Sequence, residues 1–230
     1  MEYNLEVKEF LAKQIELPQE KWDSRFRRYI EESYMPNDAE DLISGINEKS
    51  FIRYLRMLDI KKDYLNNKII LDLGCGEEAE FVKYCLDNNI GKEIYGLDVL
   101  VKPKEVEERY RGHILKGNYS KKLPLEEVDL IISVGAVFPT HKIKKPIINA
   151  IKALKIGGEI RIAPIWHTFP GSKNIGIIES REKLEDILIK LEKKYHIKWQ
   201  MEPVEIRVPE SFKEGSYDDI WLNEVLIIKK

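Results

Sequence analysis

The chain has 230 residues, enough to bury one full α/β core with a short extension. Lys and Arg total 38 against 40 Asp and Glu, so the net charge is −2, the isoelectric point lies near 6.2, and no overall field favours nucleic acid or an anionic membrane. No apolar run approaches the roughly 18 residues of a membrane span, and the charged N-terminus is unlike a signal peptide. The two cysteines, Cys75 and Cys85, have neither metal-ligand spacing nor the density of a disulfide scaffold. These features lead to the expectation of a cytoplasmic protein without membrane contact and without a bound metal.

Residues 1–60 read as a helical extension ahead of a main domain over 61–230. Tyr3, Val7, Phe10, Leu11 and Ile15 recur at helical spacing. Pro18 ends that helix and opens a second, whose apolar face carries Trp22, Phe26, Tyr29, Ile30 and Tyr34. Lys21, Arg25, Arg27 and Arg28 lie beside this aromatic face, where they could contact RNA or line a solvated surface interrupted by Asp23, Glu31 and Glu32. After Pro36, a third helical stretch runs to Leu58 with Phe51, Tyr54 and Leu55 on related faces.

The main domain begins at Ile69-Ile70-Leu71-Asp72-Leu73-Gly74-Cys75-Gly76. The apolar β-branched run predicts a strand buried on both faces. Its two glycines fall where the chain must turn sharply into a helix over 77–88, and where a ligand could approach the backbone closely. A second strand, Glu93–Asp98, ends on an acid, which in a doubly wound sheet is placed to accept ribose hydroxyls. A short helix is expected over Lys104–Tyr110, then a third strand at His113–Lys116 leading into Gly117-Asn118-Tyr119-Ser120 and Leu123-Pro124.

Val128–Val134 predicts a fourth strand, and Pro146 the start of the next helix. Between them, His141 stands where a general base could take a proton from an acceptor, or where an exposed loop histidine would lie. Leu154-Lys155-Ile156-Gly157-Gly158 predicts a tight turn into a fifth strand. Beyond it, Trp166, His167 and Phe169 fall in a long loop on the ligand side, as pocket walls or as packing under the N-terminal helices. A helix over Arg181–Tyr195 and two strands, Ile197–Val208 and Trp221–Ile228, complete the chain. With no helix between them, these strands should pair antiparallel at the sheet edge.

Taken in this order, Asp72-x-Gly74-x-Gly76, Asp98, Gly117-Asn118 with Leu123-Pro124, the Val128-Asp129 strand and the Gly157-Gly158 turn resemble the class I S-adenosylmethionine (SAM)-dependent methyltransferases. Two positions depart from that pattern: Glu78 stands for the third glycine and Asn118 for the usual Asp. The resemblance implies a doubly wound, seven-stranded, mostly parallel Rossmann-like sheet with its last strand antiparallel, plus the helical extension as a cover for the cleft or a plain cap. It implies SAM as cofactor, held by Asp72, Gly74, Cys75, Gly76, Asp98, Asn118, Tyr119 and Ser133. Within that scheme Asp98 would hold the ribose and the Asn118 carbonyl the adenine amino group. Asp72 would orient the loop or reach the methionine amino group, and Tyr119 would stack on the base or pack. Tyr34, Trp166, His167 and Phe169 would line an acceptor pocket.

The fourth strand ends in Ser133-Val134-Gly135-Ala136 and lacks the Asn/Asp-Pro-Pro-Tyr/Phe that nucleic-acid and glutamine amino methyltransferases carry there. Methyl transfer to a small-molecule acceptor, at O, N, S or C, is therefore the leading expectation. RNA or protein methyl transfer, a non-catalytic SAM-binding scaffold and a nicotinamide oxidoreductase are the alternatives.

Overall fold

The computed structural model describes residues 46–136, 143–163, 165, 178–207 and 219–230. Their strands are β1 (Ile69–Leu73), β2 (Glu93–Asp98), β3 (Ile114–Lys116), β4 (Val128–Val134), β5 (Leu154–Ala163), β6 (Lys198–Arg207) and β7 (Asp219–Lys229). Their helices are α1 (Ile46–Met57), α2 (Glu80–Asp87), α3 (Lys144–Ala153) and α4 (Ile178–Tyr195). The strands form one sheet in the order β3-β2-β1-β4-β5-β7-β6. β1 to β5 pair in parallel, and β7 lies antiparallel between β5 and β6. This is the expected seven-stranded sheet, with its chain reversal between β1 and β4, where open α/β sheets bind ligands at the carboxyl ends of their strands.

The central strands are apolar on both faces because helices cover both faces. Ile70, Leu130 and Ile132 turn toward Phe51, Tyr54 and Met57 of α1 and Phe81, Val82 and Cys85 of α2. Leu71, Leu73 and Ile131 turn toward Ile147, Ala150 and Ile151 of α3 and Leu184, Leu188 and Leu191 of α4. By the alternation of β1, Asp72 shares the α1/α2 side with Ile70.

Helix α1, from the stretch grouped by sequence with the extension, packs into the core of the sheet domain. Tyr54 stacks on Phe81 with ring centroids 4.4 Å apart, and Phe51 on Tyr84 at 4.6 Å. The Ser50 hydroxyl donates to the Glu80 carboxylate. At the other end, Arg161 of β5 donates to the carbonyls of Leu58 at 2.7 Å and Asp59 at 3.0 Å, satisfying helix-end acceptors. The two helices expected before it, including Tyr34 and the basic residues Lys21, Arg25, Arg27 and Arg28, lie outside the described residues.

Four local expectations shift. Helix α2 starts at Glu80 rather than Glu77, because Ala79 takes a left-handed φ of 48° and the chain is still turning there. The stretch Lys104–Tyr110 forms turns and a 3-10 segment (Glu108–Tyr110) instead of a helix. It offers only Val106 and Tyr110 as an apolar face, and Tyr110 is tied to Asp87 by a 2.8 Å hydrogen bond from its hydroxyl. Helix α4 begins three residues before Arg181, at Ile178. The Gly157-Gly158 turn lies inside β5: Leu154 pairs with Val128, pairing resumes at Glu159, and the Gly157 N–H donates to the Lys230 carbonyl at 2.8 Å. Among the described residues, no helix is long and apolar enough to cross a membrane.

Candidate functional site

The carboxyl ends of β1, β2, β3 and β4 meet around Asp98. Parallel pairing brings Leu73 beside Leu97 at the last turn of both strands, and the Gly74 N–H donates to the Leu97 carbonyl at 2.8 Å. Gly74 and Gly76 have φ of +84° and +75°, which side chains other than glycine adopt only with strain. The Asp98 side chain, 8% exposed, closes the turn. Its Oδ2 accepts from the Gly76 N–H at 3.1 Å and its Oδ1 from the Leu100 N–H at 2.8 Å. Its backbone carbonyl accepts from the Gly117 N–H at 2.9 Å, so one residue holds three loops. Each carboxylate oxygen keeps a second lone pair for a further donor such as a vicinal diol.

Gly74 and Gly76 differ in what surrounds them. A Cβ at Gly74 would lie 2.0 Å from the Ala136 Cβ and 3.8 Å from the Tyr119 ring. At Gly76 a Cβ would meet nothing within 4 Å. The loop after β4 thus closes over Gly74 and leaves Gly76 open. Tyr119 fastens that loop, its hydroxyl donating to the Ala136 carbonyl at 3.0 Å while the Asn149 amide holds its own carbonyl at 3.0 Å. Burial, and then the Asp98 charge, push the Tyr119 pKa upward.

Asp72 lies fully buried below the loop. Neither carboxylate oxygen has a hydrogen-bond partner. Burial pushes its pKa up to about 8, with Asp98 adding to the rise; Tyr54 and Arg53 on α1 act against it. The Tyr54 hydroxyl approaches the carboxyl without completing a hydrogen bond of normal geometry. Its own pKa is raised well above the usual phenol value by burial and then by Asp72.

The other expected cofactor residues have visible commitments. The Cys75 side chain packs toward Gly96, where an added Cβ would meet Sγ at 2.8 Å, and burial raises the thiol pKa. Its backbone remains the part available to a ligand at this loop. The Ser133 hydroxyl donates to the Leu73 carbonyl at 2.7 Å, tying β4 to the end of β1. The exposed Asn118 uses its carbonyl to accept from the Ser120 N–H at 2.8 Å, an Asx turn that fixes the side chain.

Asp129 sits at the opposite end of the sheet. It accepts from the Ile69 N–H at 2.8 Å and pairs with Lys155. Burial alone would raise its pKa, but these partners leave it below the usual carboxylate value. His141, Trp166, His167 and Phe169 lie outside the described residues.

Sequence reasoning passed over Val99 and Leu100, which are 48% and 60% exposed directly after Asp98. Two apolar residues following a strand-ending acid were the available signal for an apolar ligand face. It also passed over Arg53 and the approach of Tyr54 to Asp72, which only tertiary packing creates. A cavity of about 300 Å³ between the 122–126 loop and α3 includes Asn149 and Lys152 in its lining but none of Asp72, Gly74, Gly76 or Asp98. Among the described residues, no three His, Cys, Asp or Glu side chains converge as a metal site.

No protein-family profile and no curated protein sequence matches the chain. Solved structures do. An S-adenosylmethionine-dependent methyltransferase from Mesorhizobium loti superposes with a TM-score of 0.50 at 14% identity, over 81% of this chain and 99% of that one. The N-methyltransferase NodS from Bradyrhizobium japonicum, solved with S-adenosyl-L-homocysteine, gives 0.47 at 15% identity over 90% and 97%. A SAM-dependent methyltransferase from Aquifex aeolicus gives 0.46 at 15% identity over 87% and 98%. The Mesorhizobium likeness supports the shared α/β fold.

Proposed function

We propose that this chain is a SAM-dependent methyltransferase acting on a small-molecule acceptor. The observation that carries the reading is the Asp98 clamp: a strand-ending acid bonded to Gly76 of the neighbouring glycine turn, at the topological switch of a doubly wound sheet. The residues fit the cofactor's parts. Asp98 has lone pairs to spare for a ribose diol, and Gly76 leaves open space for close approach. Val99 and Leu100 supply an apolar surface for a purine. Asn118 can hold the adenine amino group through its second carbonyl lone pair or bind through its amide.

When bound, SAM supplies a methyl group already activated by a positive sulfur. The chain's own task is then alignment, which can supply roughly 7–11 kcal/mol. The Tyr119–Ala136 hydrogen bond fixes the loop after β4 against Gly74 and sets one wall beside the reacting end. A general base aids the reaction without being obligatory, and His141, seven residues beyond β4 in the sequence, is assigned that role as an expectation of the sequence. Trp166, His167, Phe169 and Tyr34 are assigned to the acceptor pocket on the same footing. The small-molecule reading is supported by the Ser133-Val134-Gly135-Ala136 strand end, which lacks an amide-orienting Pro-Pro motif.

The test is methyl transfer from radiolabelled SAM into a fractionated cell extract. Label in the low-molecular-weight fraction supports the proposal. Label confined to RNA or protein would contradict the acceptor class and leave methyl transfer standing.

A further inference from the structure

Strand β6 (Lys198–Arg207) ends the sheet, paired with β7 on one side and, among the described residues, with no strand on the other. An open edge carries backbone N–H and C=O groups ready to pair with another strand. Here the usable stretch is short. His196, at φ 55°, turns the chain just ahead of β6, and Pro203 has no N–H to give to a ladder. Between them run Ile197-Lys198-Trp199-Gln200-Met201-Glu202.

The pleat sorts these residues by face. Trp199 and Met201 lie partly buried against the core beneath α3 and α4. Lys198, Gln200 and Glu202 share the opposite face with Val204, which joins the core beneath α1 and α2. Lys198 and Gln200 are exposed. Lys198 stands opposite Lys229 of β7, a like charge, and among the described residues no carboxylate pairs with it. Glu202 stands opposite Val225 and accepts from the Gln200 amide at 2.5 Å, and among the described residues no cation pairs with it.

The stretch around Gln200 complements itself. Paired antiparallel with a second copy about a twofold axis at Gln200, β6 sets Lys198 opposite Glu202 and Glu202 opposite Lys198. On the other face it sets Trp199 opposite Met201 twice, a thioether against an aromatic ring. Opposite charges and aromatic–apolar pairs at facing positions stabilise a strand pair, and like charges there repel. Moving the axis by one residue sets Trp199 or Met201 against itself and separates Lys198 from Glu202. A lysine on a sheet edge keeps unrelated strands from pairing there, while a strand that presents a glutamate at that point is admitted. A second copy of this chain presents one.

We propose that the β6 edges of two copies pair in this register, making the chain a homodimer with one sheet continuous through both. The contact is isologous, so each facing pair occurs twice. It lies at the edge of the sheet opposite β3 and does not depend on the methyltransferase reading.

The test is analytical ultracentrifugation of the full chain over a concentration series. Wild-type protein should form a dimer. Lys198→Glu sets carboxylate against carboxylate in both facing pairs, and Glu202→Lys sets ammonium against ammonium. Each should weaken dimerisation by about 10-fold or more. Mixed in equal amounts, the two variants should associate again, because every facing pair is then Lys against Glu. The double variant Lys198→Glu/Glu202→Lys should recover the homodimer for the same reason. Recovery on mixing also shows that both single variants are folded.

A wild-type chain that stays monomeric throughout, as would follow if another segment covered β6, would overturn the inference. So would a dimer that both charge reversals leave unchanged, since another surface then holds it. Single variants that lose the dimer and stay apart when mixed would overturn it as well, because the loss would not come from facing charges.

Discussion

The Asp98 carboxylate accepts the Gly76 N–H at 3.1 Å, so the acid that ends one strand holds the glycine turn that ends its neighbour. The same side chain accepts from Leu100 at 2.8 Å. Removing it therefore loosens the loop and deletes the proposed ribose contact together. Asp98→Ala should weaken S-adenosylhomocysteine binding by about 100-fold or more, given two charge-assisted hydrogen bonds to a diol. Asp98→Asn should keep one acceptor and lose less. Titration of folded variants checks this, and wild-type affinity in Asp98→Ala would remove Asp98 from the site.

Gly74 and Gly76 share a left-handed φ but should fail differently. Gly74→Ala meets the Ala136 methyl at an impossible 2.0 Å and should cost about 2–4 kcal/mol of stability. Gly76→Ala finds open space and should cost only the backbone strain, about 1–2 kcal/mol. Its methyl group projects where a ligand would approach, so binding should fall more than stability. Denaturant midpoints and ligand titrations on both variants separate the two effects; equal stability losses would contradict the packing described at Gly74.

Asp72 gives the fold a specific pH dependence. Its folded pKa of about 8 lies above the ordinary 3.8. Between those values the folded state binds a proton that the unfolded chain has released, so this group's contribution to stability falls as pH rises through the window and levels off above it. Tyr54 and Arg53 from α1 and Asp98 from β2 all act on the carboxyl. Asp72→Asn should flatten this slope and raise stability at neutral pH by about 1–3 kcal/mol, while impairing cofactor binding. Urea unfolding of both proteins at about pH 5 and pH 8 measures the slope. Parallel pH profiles would show that Asp72 is not the titrating group.

Ala79 is fully buried at φ 48°, a left-handed conformation that costs alanine about 1 kcal/mol or more. Ala79→Gly should therefore be neutral or stabilising by up to about 1 kcal/mol, against the usual loss of that size for glycine near a helix. Thermal unfolding decides between these signs.

The parts of this protein that could be read from its sequence are those in which backbone geometry dictates residue type. Gly74 and Gly76 stand where φ is positive, Asp98 ends an apolar strand, and the alternation of Ile70 and Leu71 in β1 places one side chain on each face of a covered sheet. The final antiparallel pairing followed from the absence of a helix between β6 and β7. The rest depends on tertiary contacts. Nothing about Ala79 signals a left-handed turn, so the sequence predicts a start for α2 three residues ahead of the one the fold adopts. The Ser133 hydroxyl is committed to the Leu73 carbonyl and the Asn118 side chain to its own Asx turn, two bonds that residue type alone does not reveal. Arg53 and Tyr54 read as ordinary positions of an amphipathic helix, because their relation to Asp72 arises only when α1 docks on the sheet.

Calorimetric titration of the full chain with SAM, S-adenosylhomocysteine and NADH tests the cofactor assignment most directly. Micromolar binding of SAM or its demethylated product at one site per chain, with no binding of NADH, is the expected result. Binding of NADH without either adenosyl ligand would contradict it and make the glycine turn a dinucleotide site.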